Sequence, residues 1–288
     1  MNTLSKLFCT TTAAVVFSFA FAPLASSAPA AADQPASSTA RSLAKMYPYG
    51  ERARDLLGVG VRSNAGENLG KLNDLLVDAH SGRIVYAVVS TGGVLGVGDT
   101  LHAVPFSAVG FASDAHENLQ VDTTLADWQR APVYNPDYIV SLADQEKADY
   151  IFRHYHQTWE PLADAPNGSS TATEPRLLSA RSVIGRDVRV GDQAIGEAED
   201  LIVNVGSRHA QVLLRADPAF AGTADHFVVP FSKVTANTNR SGTLATTLTR
   251  DDFKSVQTFD NHAWDDSSGN SIYRWKIVDP SSAHASSE

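Results

Sequence analysis

The alternation of apolar and polar residues predicts a chain built mostly of β-strands. In "RIVYAVVS" (83–90) nearly every position is apolar, so both faces of this strand are expected to be buried, as in a small closed barrel. A longer strand is predicted over 69–78, and another, "LHAVPF" (101–106), ends at a proline. The turn sequences "SNAG" and "AHSG" flank the longer strand.

Helical spacing is found mainly in the middle of the chain. Apolar residues recur at a helical period through "YIVSLADQEKADYIFRHYHQTW" (138–159), which predicts a helix from about 137 to 157. A shorter helix is predicted in "LADWQ", with Thr124 as its N-cap. The segment 160–176, "EPLADAPNGSSTATEPR", contains three prolines and is predicted to be a linker.

Internal similarity is the strongest feature of the sequence. The segment "LGVGVRSNAGENLGKLNDLLVD" (57–78) aligns with "IGRDVRVGDQAIGEAEDLIVN" (184–204), so that Asp74 matches Asp200. Further along, "AVPFSAV" (103–109) matches "VVPFSKV" (228–234). The chain is therefore expected to hold two copies of one unit of about 80 residues.

Both copies resemble the PRC-barrel family. In the first copy the resemblance rests on Gly58 and Val61, Gly66-Glu67-x-x-Gly70-Lys71, Asp74 with Val77-Asp78, Gly82-Arg83-Ile84 and Val104-Pro105-Phe106-Ser107. The second copy lacks counterparts of two turn glycines but keeps Gly185, Gly196, Asp200 and Val229-Pro230-Phe231-Ser232. The resemblance covers residues 54–134 and 181–258. It implies a small β-barrel used mainly for binding or assembly, without a shared catalytic residue set.

The expected fold class is mainly β, with two small PRC-barrel-like β-barrels joined by a helix and linker. The predicted segments are a signal peptide (1–30), a disordered leader (31–53), the first barrel domain (54–136), the helix and linker (137–176), the second barrel domain (177–262) and a C-terminal tail (263–288). The linker is expected to be exposed and cleavable. Each barrel is expected to hold its own fold, so that Phe231→Ala would unfold only the second.

The N-terminus and the cysteine content suggest a location. An apolar run after Lys6 ends in Ala28-Pro29-Ala30, which fits a signal peptide, although an uncleaved anchor is the alternative. Cleavage removes Cys9, the single cysteine, and with it any disulfide or thiolate chemistry. The mature protein is expected to be periplasmic or secreted in a bacterium, without stable membrane insertion.

Charge and loop composition argue against nucleic acids and nucleotides. The net charge is −9, from 23 basic and 32 acidic residues, whereas a duplex nucleic-acid binder usually presents a basic face. The glycine-rich loop at 92–98 is followed by a strand and lacks a Lys-Ser or Lys-Thr pair. It is therefore interpreted as a flexible connection rather than a phosphate site.

The repeated polar residues are given structural interpretations. Ser107 and Ser232 both follow Pro-Phe, without the sharp elbow that a nucleophilic serine needs. Asp74 and Asp200 recur inside an otherwise apolar strand, and a bulge or a cross-strand hydrogen bond explains them best.

The remaining candidates are histidines and tryptophans. His154 and His156 are two residues apart, which places them on opposite faces of a helix and disfavours a metal site. Asp78 and His80 lie beside a turn and are expected to shape it. The four tryptophans are expected to pack the helix and tail onto the barrels, a partner surface being the alternative; they are Trp128, Trp159, Trp264 and Trp275.

The expected function is a non-catalytic binding or assembly module with a protein partner and with no cofactor or metal. The rival hypothesis is an enzyme with its site in the cleft between the barrels. Its candidate residues would be Asp74, His102, Asp200 and His226.

N-terminal sequencing of the exported protein should give a start near Ala31, because Ala28-Pro29-Ala30 fits the small-x-small cleavage rule. A membrane-bound form that still starts at Met1 would show that the apolar run is an anchor.

Overall fold

Strands are the most common element of the described chain, as the alternating pattern predicts. The computed structural model describes residues 49–92, 98–111, 118–164, 175–221, 226–236, 242–249, 251–254, 257–258 and 274–276. The predicted signal peptide, 1–30, lies outside these ranges. Among the described residues, no helix is long and apolar enough to cross a membrane.

Most strands of the first half form one curled sheet. The elements of this half of the chain, in order, are β1 (Tyr49–Arg52), α1 (Ala53–Leu56), β2 (Gly60–Arg62), β3 (Asn68–Asp78), β4 (Ile84–Thr91), β5 (Thr100–Pro105), β6 (Val109–Phe111), β7 (Asn118–Val121) and α2 (Leu125–Trp128). The strand order is β5-β4-β3-β2-β7-β6, with a 3-10 helix, Phe106–Ala108, between β5 and β6. We call β2–β7 the first barrel.

The helix predicted over 137–157 is two helices. A 3-10 helix, Pro136–Ala143, is followed by α3 (Gln145–His154). The break falls at Asp144, whose Oδ1 accepts hydrogen bonds from the backbone N–H groups of Glu146 (3.1 Å) and Lys147 (3.3 Å). A capping aspartate begins a new helix, which the apolar period alone did not reveal.

The second half repeats the strand order of the first. Its elements are β8 (Leu177–Ser179), α4 (Ala180–Val183), β9 (Arg186–Val190), β10 (Gln193–Asn204), β11 (His209–Ala216), α5 (Pro218–Ala221), β12 (His226–Pro230), β13 (Val234–Ala236), β14 (Leu244–Thr246) and β15 (Gln257–Thr258), with 3-10 helices at Phe231–Lys233 and Asp252–Lys254. The order β12-β11-β10-β9-β14-β13 matches that of the first barrel, and β15 is added beside β12. We call β9–β14 the second barrel.

Each barrel is extended by a strand from the other half of the chain. β1 pairs with β10 of the second barrel, where Arg52 lies opposite Ile202. β8 pairs with β3 of the first barrel, where Ser179 lies opposite Leu76. Leu76 and Ile202 are equivalent positions of the sequence repeat, so the exchange is reciprocal. We call these two strands, together with α1 and α4, the seam.

A second set of backbone hydrogen bonds joins the barrels at the starts of β4 and β11. The N–H of Ile84 donates to the carbonyl of Arg208, and the N–H of Ala210 donates to the carbonyl of Gly82, both at 2.8 Å. Gly82 and Arg208, which are equivalent in the repeat, have φ values of 75° and 59°. A Cβ on Gly82 would lie 2.9 Å from the Cβ of Phe231, so this position needs glycine for conformation and for space.

The apolar core is continuous across the seam. One cluster of buried side chains contains Leu75 and Val77 of β3 together with Leu201 and Val203 of β10. The described residues also fall in one compact unit, Ser38–Glu288. Because the barrels share strands and core, we expect them to unfold as one unit rather than each holding its own fold.

Three predicted segments contain a strand that pairs outside its own segment. The leader predicted over 31–53 contains β1, and the second domain predicted from 177 begins with β8, which belongs to the first sheet. The tail predicted over 263–288 contains β16 (Arg274–Lys276), which pairs with the other edge of β1. A segment as short and polar as "YGER" (49–52) carries no pattern that specifies a distant pairing partner.

Phe231→Ala should destabilise both barrels together. Phe231 is 2% exposed and lies beside Gly82 of the other barrel, and removing a buried aromatic ring costs about 3–5 kcal/mol. Amide hydrogen exchange should show a comparable loss of protection in β4 and β11. Loss confined to the second barrel would restore the expectation of independent folding.

Two glycine variants test the close approach of the barrels. Gly82 and Gly66 have φ values of 75° and 81°, so alanine at either position costs about 1 kcal/mol in backbone strain. Nothing lies within 4 Å of a Cβ on Gly66, so only Gly82→Ala also causes a collision. Thermal unfolding should show a larger loss for Gly82→Ala, and equal losses would contradict the contact.

Candidate functional site

Asp200 joins the second barrel to the helix that follows the exchanged strand β1. Its Oδ1 accepts hydrogen bonds from the backbone N–H of Leu201 (2.8 Å) and from that of Arg54 (3.3 Å), in the first turn of α1. The side chain is 1% exposed and lies at a register shift in β10. A buried carboxylate thus satisfies a helix N-terminus from the opposite half of the chain.

Asp74 has the same role in the first barrel. Its Oδ2 accepts a hydrogen bond from the Ser179 hydroxyl, and its Oδ1 accepts from the backbone N–H groups of Leu75 (2.8 Å) and Arg181 (3.2 Å). The register of β3 also shifts at Asp74. The interpretation of both aspartates as bulge and cross-strand residues is confirmed, and in both cases the partner comes from the other half.

Burial raises the pKa of both carboxyl groups. Desolvation raises the pKa of Asp200 to about 6, against the opposing effect of its hydrogen bonds to Leu201 and Arg54. Desolvation likewise raises the pKa of Asp74, while its hydrogen bonds lower it. Removal from water favours the neutral acid, so protonation of these groups removes the free-energy cost of holding a desolvated charge at the seam.

A cavity of about 300 Å³ opens beside Asp74, where β8 meets the segment that follows the first barrel. Its lining is mostly apolar and includes Val88, Leu101, Ile139, Leu177 and Leu178. Asp74 is the one carboxylate among the lining residues. Concave apolar sites with a few polar groups are typical of binding sites.

Tyr134 supplies the second ionisable group of the cavity. Its backbone N–H donates to the carbonyl of Leu101 at 2.7 Å, which attaches its segment to the edge of β5. Burial, and then the charge of Asp74, raise the pKa of Tyr134 to about 12. The phenol is therefore neutral at physiological pH. The other polar residues of the lining are Asn73, Ser179 and Ser182.

The other residues of the enzyme hypothesis lie elsewhere. The ring of His102 packs 4.7 Å from that of Trp128, and desolvation lowers the pKa of His102. His226 Nε2 lies 2.9 Å from Glu199 Oε2 in the second barrel. Neither these histidines nor Asp200 line the cavity, so the structure does not bring the four candidates together.

The repeated Val-Pro-Phe-Ser segments have the structural role that their repetition indicates. Pro105 and Pro230 end β5 and β12, and a 3-10 helix follows each. Phe106 and Phe231 begin these helices and are 1% and 2% exposed. Their serines lie inside the one-turn helices rather than at a strand-to-helix elbow.

The two histidines of the pair lie on different segments. His154 ends α3, whereas His156 lies beyond it with a φ of 54°. In the described part of the chain, no three His, Cys, Asp or Glu side chains are placed to hold a metal ion. Asp78 shapes the turn at His80 as predicted, since its Oδ1 accepts from the backbone N–H of His80 at 3.0 Å.

Two of the tryptophans pack helices onto the first barrel. The ring of Trp159 lies 5.1 Å from that of Phe152 in α3 and 6.4 Å from that of Tyr86 in β4. Trp128 is 4% exposed. The packing interpretation is confirmed for these two. Trp264 lies outside the described residues, and Trp275 lies in β16.

The glycine-rich loop connects β4 to β5. Gly92 and Gly98 have φ values of 80° and 83°, while 93–97 lie outside the described residues. The corresponding connection in the second barrel contains α5. The same two strands are thus joined by different connections in the two barrels, as expected for a loop that tolerates change.

Sequence reasoning missed most of the cavity. Tyr134 lies at the end of the predicted first barrel domain, Ile139 in the predicted helix and Leu177 at the predicted start of the second domain. No local motif marks them, because they meet only after the strands are exchanged. The available signal was Asp74, which recurs as Asp200 in a strand that is otherwise apolar.

Asp200→Asn should remove a pH dependence of stability between about pH 4 and about pH 6. The pKa of Asp200 is raised to about 6 from 3.8, so the folded state binds the proton more tightly than the unfolded state. Its contribution is therefore present below about pH 4 and is lost as the pH rises through about 6, by on the order of 3 kcal/mol. Asparagine stays neutral and keeps an acceptor for Leu201 and Arg54.

Urea unfolding across this pH range measures the effect. Asp187 is exposed, so Asp187→Asn is the control. It makes the same change in net charge and should keep the wild-type pH dependence of stability. If Asp200→Asn shows the same pH dependence of stability as the wild type, Asp200 is not a desolvated carboxylate at the seam.

Comparison with known proteins identifies the first barrel. The family model of the PRC-barrel domain matches residues 50–127, a range that includes α1 and β2–β7. No curated protein matches the chain. The second barrel lies outside the matched residues, although its strand order is the same. Residues 50–127 of this chain are therefore similar to a PRC-barrel domain.

Proposed function

We propose that the chain is an exported, non-catalytic binding or assembly module, and that its binding surface is the cavity beside Asp74 together with the segment 131–140. The observation that carries the proposal is the pairing of an apolar cavity with exposed apolar side chains on one of its walls. The PRC-barrel match supports it, because the family uses this barrel mainly for binding and assembly.

The exposed apolar residues lie on the segment that walls the cavity. Val133, Tyr138 and Val140 are 69%, 64% and 73% exposed. Pro136 and Ile139, from the same segment, line the cavity. Exposed apolar side chains grouped around a concave site are typical of protein–protein interfaces, which favours a protein partner.

The hydrogen bonds of Asp74 support a non-catalytic role. Its two oxygens accept from the Ser179 hydroxyl and from the backbone N–H groups of Leu75 and Arg181. A general base must be able to reach a proton on the substrate, whereas this carboxylate is used to hold the exchanged strand.

The N-terminal segment supports export, since it combines an apolar run with a small-x-small cleavage sequence. In the bacterial envelope the proposed partner is an exported protein, and the acidic net charge of −9 favours one with basic groups at the contact.

Affinity capture from envelope extract tests the proposed surface. Tyr138→Ser combined with Val140→Ser should reduce recovery of the partner by about ten-fold or more, because exposed apolar anchors dominate interfaces. Leu125→Ser is the matched control, since Leu125 is 37% exposed but lies on α2. Equal recovery with all variants, or no protein retained by the wild type, would contradict the proposal.

A further inference from the structure

We infer that the cavity beside Asp74 binds an arginine side chain of the partner protein. This inference rests on the proposed function and names the chemical group that enters the cavity. It is carried by a difference between the two halves of the chain, which place Ser179 and Arg52 at equivalent positions.

The pairing of the exchanged strands makes Ser179 and Arg52 equivalent. Ser179 of β8 lies opposite Leu76 of the first barrel, and Arg52 of β1 lies opposite Ile202 of the second. Leu76 and Ile202 correspond to each other in the sequence repeat. The two halves therefore present different side chains at the same place on the exchanged strand, a serine in one and an arginine in the other.

The two aspartates have different cationic surroundings. Burial raises the pKa of Asp200, while its hydrogen bonds and then the charges of Arg54 and Arg52 lower it. Burial also raises the pKa of Asp74, while its hydrogen bonds and then the charge of Arg181, the counterpart of Arg54, lower it. The serine at the place equivalent to Arg52 supplies a hydroxyl and no charge. The first barrel thus has one cation fewer beside its aspartate at this position.

A cavity lies where the first barrel has the shorter side chain. Ser179 and Asp74 both line the cavity of about 300 Å³, and the Ser179 hydroxyl donates a hydrogen bond to Asp74 Oδ2. Pro136 and Ser182 also line the cavity, and both are exposed. The cavity therefore reaches the surface, and a side chain from another protein can enter it beside the carboxylate.

The lining matches both parts of an arginine side chain. Within the described residues, Asp74 accepts three hydrogen bonds, and an ionised carboxylate has about four acceptor sites. Asn73 and Ser182 add side-chain oxygen atoms to the lining, which suits the guanidinium group because it carries only donors. The apolar walls, including Leu101 and Ile139, suit its methylene stem. A guanidinium group is also more weakly hydrated than an ammonium group, which favours arginine over lysine beside a half-buried carboxylate.

Two small compounds test the inference on the full chain. N-acetyl-L-arginine methylamide carries the proposed side chain, and N-acetyl-L-citrulline methylamide is its uncharged counterpart, with an oxygen atom in place of one guanidinium nitrogen. The arginine compound should bind about ten-fold more tightly, because it alone forms a charge-assisted hydrogen bond with Asp74. Equal affinities would overturn the inference, and this comparison in the wild type does not depend on the folding of any variant.

NMR titration locates the bound compound. The backbone N–H groups of Leu75 and Arg181 donate to Asp74, so their signals should shift as the arginine compound is added. The N–H groups of Leu201 and Arg54 donate to Asp200 and should not shift. Shifts confined to this second pair would overturn the inference.

Three variants test the contribution of the site. Asp74→Asn should remove the preference for the arginine compound over the citrulline compound, whereas Asp200→Asn, at the equivalent position of the second barrel, should keep it. Ser179→Arg supplies the side chain from within the chain, as Arg52 does in the other half, and should reduce binding of the arginine compound by about ten-fold. Thermal unfolding establishes that each variant is folded, and wild-type binding by a folded Ser179→Arg would contradict the inference.

Partner capture separates this inference from the proposed function. Reduced recovery of the partner by Ser179→Arg would support arginine binding in the cavity. If Tyr138 and Val140 prove necessary for capture but the arginine compound shows no preference over the citrulline compound, arginine recognition is wrong and the proposed binding function stands.

Discussion

The carboxylates of Asp74, which is half-buried, and of Asp200, which is buried, join the halves of this chain. Each accepts a backbone hydrogen bond from the short helix that follows the exchanged strand of the other half. Placing the carboxylates out of water is costly, as their raised pKa values show, and the hydrogen bonds offset part of that cost. Without its partner half, each long strand would leave an apolar edge unpaired and a carboxylate without its helix.

This arrangement explains why the cavity exists only in the assembled chain. One wall is the exchanged strand β8, another is the segment that follows the first barrel, and the floor includes Asp74 of β3. The site is therefore built on strands whose positions are fixed by pairing on both sides of β3. Rigid support of this kind keeps a binding surface in place and lowers the entropy lost on association.

The sequence predicts the structural features that depend on a local pattern of residues or on the internal repeat. The strand class, the cap at Thr124, the turn at Asp78 and the bulges at Asp74 and Asp200 each follow from a few neighbouring residues, and alignment of the halves supplied the repeat. The exchange could not be inferred, because β1 and β8 are only four and three residues long and pair with strands far away in the chain. The cavity depends on that exchange, so Tyr134 and Leu177 carried no recognisable signal.

Because the two halves are joined in one chain, their sequences and their edges need not be identical. Two separate copies of one barrel, exchanging strands in this way, would form a two-fold symmetric dimer with identical edges and identical sites. In the fused chain the edge of β1 is closed internally by β16, while no described strand closes that of β8. The two halves can therefore differ at their edges, because neither half has to match a second copy of itself.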